Sequence, residues 1–321
     1  MTTKEKVLEI LQLSNTTVSG EKMAQVLAIS RTSIWKAIKE LEKAGYQIQH
    51  EATGYRLVAA DVLSVKEIQQ ALLKPEWLEE IQVFNESVST MIDAKKVAIE
   101  SNPPTALFVA DTQTAAKGRF GRPFFAKPSQ GLYFSLLLNP YRSFEELPQY
   151  TVIMAVAIAQ AIDKIAAVAT EIKWVNDIYL NGKKICGILS EAMSDVETMQ
   201  ISHIIIGAGI NFSIPQQDFA PEVQARATSI FPDGQTDCTR NQLMAEIINQ
   251  FFTLLEEPQN AIKIYREKSF VLGKKVSFVK QGTTYEGLAT SITNLGELVV
   301  DVDGAAMVLS SGEISLASIE R

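Results

Sequence analysis

The spacing of apolar positions in the first sixty residues predicts three helices followed by a β-hairpin. Ser19 and Ser30 stand where they can cap the second and third of these helices. Gly45 is placed to end the third helix, because glycine readily adopts the left-handed conformation of a C-terminal cap. Two strand-like runs follow, with a turn near Thr53-Gly54. This order of elements is typical of a winged helix.

The third predicted helix has an apolar side and a basic side. At about 100° per residue, its apolar positions form one stripe that would pack on the two preceding helices. These positions are Ile34, Ala37, Ile38 and Leu41. Trp35 borders the stripe and is expected in the core rather than on DNA.

The opposite side of this helix presents hydroxyl and basic groups, which bind phosphates and base acceptors when a helix enters a major groove. The candidate DNA-contacting residues are Ser30, Arg31, Thr32, Lys36 and Lys39. The alternative interpretation is a plain solvated helix, because lysines at helical spacing are common. The order of the elements favours a DNA-binding winged helix with the hairpin as its wing.

Residues 63–269 predict an α+β domain in which a mixed sheet carries helices on one side. Ser64 and Glu67 have the spacing of a capping box, so a helix is expected to start there, with residues 61–63 as the linker. Asn181-Gly182 is a strong hairpin signal. The run "MQISHIIIGAGINF" predicts a further pair of strands, with a bend at its glycines.

Short strands separated by regularly spaced turns predict a small, SH3-like antiparallel β-barrel at the end of the chain. The predicted turns are Gln281-Gly282, Asn294–Gly296, Asp303-Gly304 and Ser311-Gly312. The sequence therefore predicts three domains, which are 1–62, 63–269 and 270–321.

Composition places the chain among globular proteins with no predicted secretory or membrane segment. It has 321 residues, of which 46% are hydrophobic, and this suits two or three domains with proper cores. No apolar run approaches the ~20 residues that span a bilayer, and the charged N-terminal stretch is unlike a signal peptide. Cys186 and Cys238 do not form a C-x-x-C pair, so no metal site is assigned, and a reduced, cytoplasmic setting is expected.

Charge is spread unevenly along the chain, whose net charge is −7. Residues 1–60 hold eight Lys or Arg and six Asp or Glu, a balance of +2, so the remaining 261 residues carry −9. A basic N-terminal segment on an otherwise acidic chain indicates that only residues 1–60 bind a polyanion.

The stretch "AAKGRFGRPFFAKPSQG" at residues 115–131 lies between two strand-like runs and has neither helical nor alternating apolar spacing. Its glycines let a backbone approach a ligand closely, and its arginines can bind phosphate with a planar fork of donors. The spacing is not that of a Walker A loop or a dinucleotide fingerprint. Taken alone, the stretch is more consistent with a solvated basic loop than with a ligand-binding one.

Three other stretches add polar residues at the ends of predicted strands and helices. "NESVSTM" places Ser89 and Thr90 just before a helix, where hydroxyls and N–H groups can bind a small polar ring. "KWVNDIYLNGKKICGILSE" and "GAGIN" supply an amide and a carboxylate, a lysine and several glycines. Within these stretches Trp174 and Cys186 are expected to pack in the interior.

Together these stretches resemble the biotin–protein ligases. The resemblance rests on "STM", "DTQ", "KGRFGR", "GLYFSLLL", "KWVND", "YLNGKKICGILSE" and "IIIGAGIN", followed by a β-rich tail. With the winged helix in front, nearly all of residues 1–321 resembles the bifunctional bacterial form, which is also the biotin operon repressor (the BirA family). The resemblance makes 63–269 the catalytic domain and 270–321 an SH3-like domain.

The resemblance implies a ligase that uses ATP with Mg²⁺ to convert biotin into biotinyl-5′-AMP. Biotin would then pass to one lysine of a biotin carboxyl carrier protein, in acetyl-CoA carboxylase or another biotin-dependent carboxylase. A homodimer loaded with the adenylate would bind operator DNA and repress transcription of biotin genes. No membrane partner is implied.

The resemblance also implies roles for individual residues. The implied biotin-binding residues are Ser89, Thr90, Gln113, Lys117, Gly118, Arg119 and Lys184. The implied ATP- or adenylate-binding residues are Arg119, Arg122, Asn176, Asp177, Gly187 and Asn211. The implied catalytic residues are Arg119, Lys184 and Asp177, and Asp177 is expected to help the acceptor lysine lose its proton.

Two alternatives stay open, and a departure from the family pattern supports the second of them. The family loop usually reads G-R-G-R-x-G-R, and here Ala116-Lys117 stands in place of the first Gly-Arg. Lysine keeps the charge but loses the bidentate fork. The alternatives are a related lipoyl- or octanoyl-transferring enzyme, and a biotin-sensing regulator with impaired catalysis.

Overall fold

The protein is described here from a computed structural model. The described residues are 2–14, 16–43, 46, 48–57, 61–100, 103–140, 147–194, 201–310, 312 and 314–316. Gly45 and Ser311, which were predicted to lie in a helix cap and a turn, fall outside them. The chain divides into two compact units, Met1–Val62 and Leu63–Arg321. The limits of the three predicted domains stay a prediction.

The first unit has the order of elements that the sequence predicts. Its elements are α1 (Thr3–Gln12), α2 (Gly20–Leu27), α3 (Arg31–Lys43), β1 (Ile48–Glu51) and β2 (Gly54–Leu57). Both predicted caps are confirmed, because Ser19 Oγ accepts the Lys22 N–H at 3.1 Å and Ser30 Oγ accepts the Ser33 N–H at 3.1 Å. β1 and β2 pair antiparallel as the predicted hairpin.

The apolar stripe of α3 forms the centre of the core of this unit. The buried core residues are Val7, Leu11, Val18, Met23, Ala24, Ile34, Ala37, Ile38 and Leu41. Val18 also exchanges backbone hydrogen bonds of 2.9 Å with Tyr55. Gly54 lies beside this bridge, and an added Cβ would lie 2.2 Å from the Val18 carbonyl oxygen. The expectation that Trp35 lies in the core is wrong, because half of its surface (50%) is exposed.

The second unit alternates strands and helices. Its main elements are α4 (Val65–Ala71), β3 (Glu80–Ser87), α5 (Thr90–Ala98), β4 (Ala106–Gln113), β5 (Gly131–Leu138), α6 (Leu147–Ala166), β6 (Glu171–Lys173), β7 (Asp177–Leu180), β8 (Lys183–Ser194), β9 (Ile201–Asn211), α7 (Pro221–Gln224), α8 (Arg240–Glu256) and α9 (Pro258–Lys268). Seven strands form one sheet in the order β3-β4-β5-β9-β8-β7-β6. β3 and β4 are parallel and the other neighbours are antiparallel, so the sheet is mixed as predicted.

Helices cover both faces of this sheet, which corrects the prediction of helices on one side. Successive residues of a strand point to opposite faces. In β4, Leu107 and Val109 join the core built with α6, α8 and α9. Phe108 points the other way and packs with Ala94 and Ala98 of α5. The α5 side is the smaller of the two cores, and it leaves room on that face of the sheet.

The run from residue 201 to residue 211 is one continuous strand, so the prediction of a strand pair with a bend is wrong. β9 pairs with β5 on one side and with β8 on the other. Its glycines are kept in the strand because both neighbours supply an unbroken set of backbone partners. The predicted hairpin at Asn181-Gly182 is present, with φ angles of 51° and 74°, and such positive values are typical of a type I′ turn.

The C-terminal part of the second unit is a five-stranded antiparallel sheet. Its strands are β10 (Lys275–Lys280), β11 (Thr283–Ile292), β12 (Leu298–Val302), β13 (Ala305–Leu309) and β14 (Ile314–Leu316), in the order β13-β12-β11-β10-β14. Residues of the predicted turns at Gln281-Gly282 and Asp303-Gly304 have positive φ angles, as tight turns require. The inner residues of these strands join the same core as α6 and α9.

The start of α4 is capped by a partner that the sequence did not indicate. Ser64 Oγ accepts the Glu67 N–H at 3.4 Å, which is one half of the predicted capping box. The Ser64 N–H donates instead to Asn241 Oδ1 at 2.9 Å, and Asn241 Nδ2 donates to Glu67 at 2.7 Å. One buried amide of α8 therefore completes the cap.

No helix among the described residues is long and apolar enough to cross a membrane.

We expect Asn241→Ala to lower the free energy of unfolding by about 2 kcal/mol, because it leaves two part-buried partners without their hydrogen bonds. Urea denaturation followed by far-ultraviolet circular dichroism measures this change. Lys263→Ala on the exposed side of α9 is the control, and it should change stability by less than about 0.5 kcal/mol. Equal stability of the two variants would contradict the capping role.

Candidate functional site

A cavity of about 250 Å³ opens on the α5 side of the seven-stranded sheet. The residues that the sequence singled out and that line it are Ser89, Thr90, Gln113, Lys117, Gly118, Arg119, Arg122, Asn176, Asp177, Lys184 and Gly187. Asn211 is not among the lining residues. It is buried at the end of β9, where its Nδ2 donates to the Thr228 carbonyl at 2.9 Å. Asn211 therefore anchors the following segment in this structure.

The floor of the cavity is a stretch of sheet without side chains. In β9, Ile206, Ala208 and Ile210 point into the large core, so Gly207 and Gly209 face the opposite side. A Cβ at Gly207 would lie 2.6 Å from the sulfur of Met91, and one at Gly209 would lie 2.5 Å from the Phe124 ring. Glycine is thus needed at both positions for Met91 and Phe124 to pack directly on the backbone.

An uncharged polar cluster lies at the end of the cavity next to α5. The Thr90 N–H donates to Gln113 Oε1 at 2.8 Å, and Thr90 Oγ1 lies 2.8 Å from Ser135 Oγ. Ser89 precedes α5 as its N-cap residue, and both Ser89 and Thr90 are buried. The strand β4, the strand β5 and the start of α5 each supply one group, so only the folded sheet brings this cluster together.

A charged pair lies where β7 and β8 meet. Lys184 Nζ and Asp177 Oδ1 are 2.6 Å apart, and both side chains are partly exposed. Gly187 faces Asp177 across the strands, and a Cβ at Gly187 would approach Lys184 Nζ to 3.2 Å. A β-bulge between Ile178 and Tyr179 shifts the register just beyond this point. Burial raises the pKa of the nearby Tyr179 to about 12, and the Asp177 carboxylate adds to this effect.

The glycine- and arginine-rich stretch is folded as a short hairpin beside the cavity. The Gly118 N–H donates to the Arg122 carbonyl at 2.8 Å, and the Phe124 N–H donates to the Ala116 carbonyl at 3.0 Å. Phe120 and Gly121 form the tip with φ angles of 57° and 70°, the combination typical of a type I′ turn. The sequence predicts a loop here. A hairpin with so few paired residues leaves no periodic pattern of apolar positions in the sequence.

The basic groups of this hairpin reach towards the motif after β6. Arg119 Nη1 donates to Asn176 Oδ1 at 3.2 Å, and Asn176 Nδ2 donates to the Ile188 carbonyl at 2.6 Å. The guanidinium groups of Arg119 and Arg122 lie 5.3 and 5.8 Å from the centre of the Phe120 ring, which is 70% exposed. The hairpin thus carries its cations at the rim of the cavity.

Several lining residues were not assigned to the site from the sequence. They are Met91, Phe120, Pro123, Phe124, Phe134, Lys173, Ile188, Leu189, Gly312 and Ile314, besides the glycines of β9. Gly312 and Ile314 come from the C-terminal sheet, which no local motif connects with the rest. The alternation of glycine and apolar residues in "IIIGAGIN" is the one signal that could have identified the floor.

Trp174 is 3% exposed and its Nε1 donates to the Gly296 carbonyl at 2.9 Å, so the expectation that Trp174 packs in the interior is confirmed.

The predicted DNA-contacting residues lie together on the first unit. Ser30, Arg31, Thr32, Lys36 and Lys39 are all exposed. Ser30 also caps α3, and Lys39 Nζ lies 2.7 Å from the Glu42 carboxylate. Hydrogen bonds from Lys39 and then from His50 hold the pKa of Glu42 below its usual value. A groove of about 750 Å³ lies between the start of α2, the exposed side of α3 and the hairpin.

Two family models match the chain, one in each unit. Residues 82–211 match the biotin/lipoate A/B protein ligase family, and residues 3–56 match a helix-turn-helix domain. The bifunctional ligase/repressor BirA of Bacillus subtilis (strain 168) is 32% identical over 326 aligned positions, which cover 98% of this chain and 99% of that protein. The protein of the same name from Escherichia coli K12 is 26% identical, with 94% of each chain covered.

Solved structures give the same result for the larger unit. The biotin protein ligase from Aquifex aeolicus in complex with biotin and ATP superposes with a TM-score of 0.61 and 25% identity, over 74% of this chain and 99% of that one. Fold and site therefore define a protein ligase joined to a DNA-binding winged helix. The chain belongs to the family of bifunctional ligase/repressors called BirA.

Cys186 offers a direct chemical check of the sheet behind the site. Its side chain is buried, and this burial raises the pKa of the thiol far above its usual value. We therefore expect iodoacetamide at pH 8 to alkylate the half-buried Cys238 at least about a hundredfold faster than Cys186, because only the thiolate reacts. Peptide mass spectrometry measures both rates. In 6 M urea the two rates should converge, and comparable rates in the native protein would contradict the packing of β8.

Proposed function

We propose that the chain activates biotin with ATP to biotinyl-5′-AMP and transfers biotin to one lysine of a biotin carboxyl carrier protein. As an adenylate-loaded dimer it would also repress transcription through its winged helix. The observation that carries the proposal is the cavity in the matched ligase segment, which places an uncharged polar cluster at one end and a lysine with two arginines at the other.

The uncharged end suits the ring system of biotin. Its ureido group needs donors and acceptors without charge, and Thr90 and Gln113 supply them beside buried Ser89. Glycine at positions 207 and 209 lets Met91 and Phe124 lie flat on the sheet, where they give a flat ligand an apolar surface to pack on. A valeryl chain would then run along the floor towards Lys184.

The charged end suits the first chemical step. An oxygen of the biotin carboxylate attacks the α-phosphorus of ATP, a new P–O bond forms, and the bond to the β-phosphate breaks to release pyrophosphate. Both reactants are anions, so nearby cations must offset their repulsion and hold the developing charge. Lys184, Arg119 and Arg122 line this end, and Mg²⁺ would enter with ATP as part of the substrate.

The Lys184–Asp177 pair suggests how one pair of residues could serve both steps. When Lys184 turns to the carboxylate and the α-phosphate, Asp177 loses its partner at 2.6 Å. Its carboxylate is then available to take a proton from the acceptor lysine. The neutral amine attacks the carbonyl carbon of the mixed anhydride, an amide bond forms, and AMP leaves.

The hairpin carrying Lys117, Gly118 and Arg119 would act as the cover of the adenylate. A mixed anhydride hydrolyses in water, so a closing segment that excludes water protects it. The Arg119–Asn176 hydrogen bond at 3.2 Å gives the hairpin a contact with the nucleotide end of the cavity. Lys117 keeps the positive charge of the arginine usual in the family but offers fewer donors.

Lys184→Ala should slow adenylate formation by about 10²–10³-fold, because it removes a cation from the reacting phosphate. Biotin-dependent exchange of pyrophosphate into ATP measures this step. Lys183→Ala is the matched control, since the Lys183 ammonium binds the Gln224 carbonyl outside the cavity, and it should retain most of the activity. Full exchange activity in Lys184→Ala would contradict the assignment.

Asp177→Asn should slow transfer from preformed adenylate by about 10²-fold while leaving pyrophosphate exchange largely unchanged, since an amide cannot accept the proton. Single-turnover labelling of a carrier domain measures transfer. Glu171→Gln, an exposed change on the adjacent strand β6, is the control. Equal loss in both steps would indicate that Asp177 only positions Lys184.

The decisive test of the function is ATP-dependent labelling of a biotin carboxyl carrier domain with radioactive biotin. Radioactive lipoate and octanoate on a lipoyl domain form the parallel arm, because the matched family includes lipoate enzymes. Labelling by lipoate or octanoate alone would favour a lipoyl-transferring enzyme. Biotin binding without pyrophosphate release would favour a regulator that has lost catalysis.

The repressor half of the proposal concerns the winged helix and the assembly. Adenylate binding would favour a homodimer, which would place two copies of α3 on a palindromic operator in the cytoplasm. The support is the exposed basic side of α3 in a segment that matches a helix-turn-helix domain. Sedimentation and gel shift with and without biotin and ATP test it.

A further inference from the structure

We propose that Trp35 is a residue that determines operator sequence by contacting a thymine methyl group in the major groove. The inference rests on the proposed repressor function, because it assigns to α3 a further DNA-reading residue. The Trp35 side chain lies half exposed on α3 instead of in the core.

Among the described residues of the first unit, Trp35 is not one of the side chains that build or complete the core. The buried side of α3 is formed by Ile34, Ala37, Ile38 and Leu41. The partly buried side chains that complete this core come from α1, α2, the hairpin strands and the segments just before α3 and β1. A large indole that is half exposed to solvent instead indicates a surface that binds a partner, above all where charged residues surround it.

Trp35 belongs to the DNA-facing row of α3, on the side of the row that borders the apolar stripe. Thr32, Trp35, Lys36 and Lys39 occupy positions i, i+3, i+4 and i+7 of α3, and all four are exposed. Homeodomain recognition helices use the same four positions to reach base edges. A helix that lays its basic side in the major groove therefore brings the Trp35 indole to the bases together with its neighbours.

The chemistry of the indole selects one feature of the groove. Thymine is the base that presents a methyl group in the major groove, and apolar side chains recognise it there. Arg31 and Thr32 flank Trp35 on the preceding turn, where they can bind phosphates or base acceptors. Trp35 also borders the groove of about 750 Å³ towards the hairpin, so the ring has open space in front of it.

The experiment starts with selection of binding sites from a pool of random-sequence DNA duplexes by the full-length chain with biotin and ATP. The variants are Trp35→Ala, Trp35→Phe and the control Val26→Ala, which removes an exposed apolar side chain of α2. We expect the wild type, Trp35→Phe and Val26→Ala to select the same half-site. Trp35→Ala should lose the preference for thymine at one position while its biotin-labelling activity stays unchanged.

Replacement of each thymine of the selected site by deoxyuridine then tests the methyl contact itself. At one position per half-site the loss of the methyl should weaken wild-type binding about fourfold, the factor for one buried methyl group. The same replacement should have no effect on Trp35→Ala. Fluorescence anisotropy at a fixed salt concentration measures both affinities.

Several results of these experiments would contradict base reading by Trp35. An equal deoxyuridine penalty in wild type and Trp35→Ala, or a uniform loss of affinity at every sequence, would overturn the base-reading role. Unchanged binding by Trp35→Ala would overturn it as well. If the wild type enriches no sequence although it labels the carrier domain, the repressor half of the proposed function fails and this inference fails with it. Far-ultraviolet circular dichroism identifies a misfolded variant, and Trp35→Gln, which also removes the aromatic ring, then replaces Trp35→Ala in both comparisons.

Discussion

The site depends on one constraint, which is the alternation of side chains along the two central strands β8 and β9. On one face these strands present aliphatic residues to a core shared with α6, α8 and α9, and this packing holds the sheet rigid. On the other face Gly187, Gly207 and Gly209 have no side chains, so neighbouring side chains such as Met91 and Phe124 reach the backbone. A one-residue shift of register would exchange the two faces and destroy both the core and the cavity.

The position of the charged pair at the rim of the cavity follows from where β7 and β8 begin and end. Lys184 and Asp177 meet because β7 and β8 form a tight hairpin, so their ion pair is set by the turn at Asn181-Gly182 as much as by their own charges. A partly exposed pair of this kind contributes little to stability. In the proposed mechanism, either member would exchange its partner for a ligand group at small cost.

The basic hairpin beside the cavity shows that a few hydrogen bonds can order a glycine-rich stretch that has no periodic apolar pattern. The two strands of the hairpin are joined by the Gly118–Arg122 and Phe124–Ala116 backbone hydrogen bonds and by a type I′ tip. The Arg119–Asn176 hydrogen bond connects the hairpin to the rest of the second unit. Such an element has little buried surface and few hydrogen bonds, which places it at the low-stability end of the fold. The proposed opening and closing around a ligand would therefore demand little reorganisation of the core.

Local patterns in the sequence determined the elements, the caps and the family of this protein. Period, capping serines and the Asn181-Gly182 turn act over a few residues, so helices and strands could be read from residue types alone. The chemistry-bearing residues could also be singled out, because their motifs are contiguous. Long-range contacts were beyond such reasoning: the Asn241 cap on α4, the helix on the second face of the sheet, and Phe124 over Gly209 each join segments far apart in the chain.

Exposure was decided only by the tertiary structure. Trp35 borders the apolar stripe in sequence, yet the core of the first unit is filled by other side chains and the indole is left half in water. Asn211 has the residue type of a ligand contact but is used to hold the Thr228 carbonyl. Sequence sets which groups are available, whereas close packing in three dimensions decides which of them are buried and which meet a ligand, because a core accepts only the side chains that fill it.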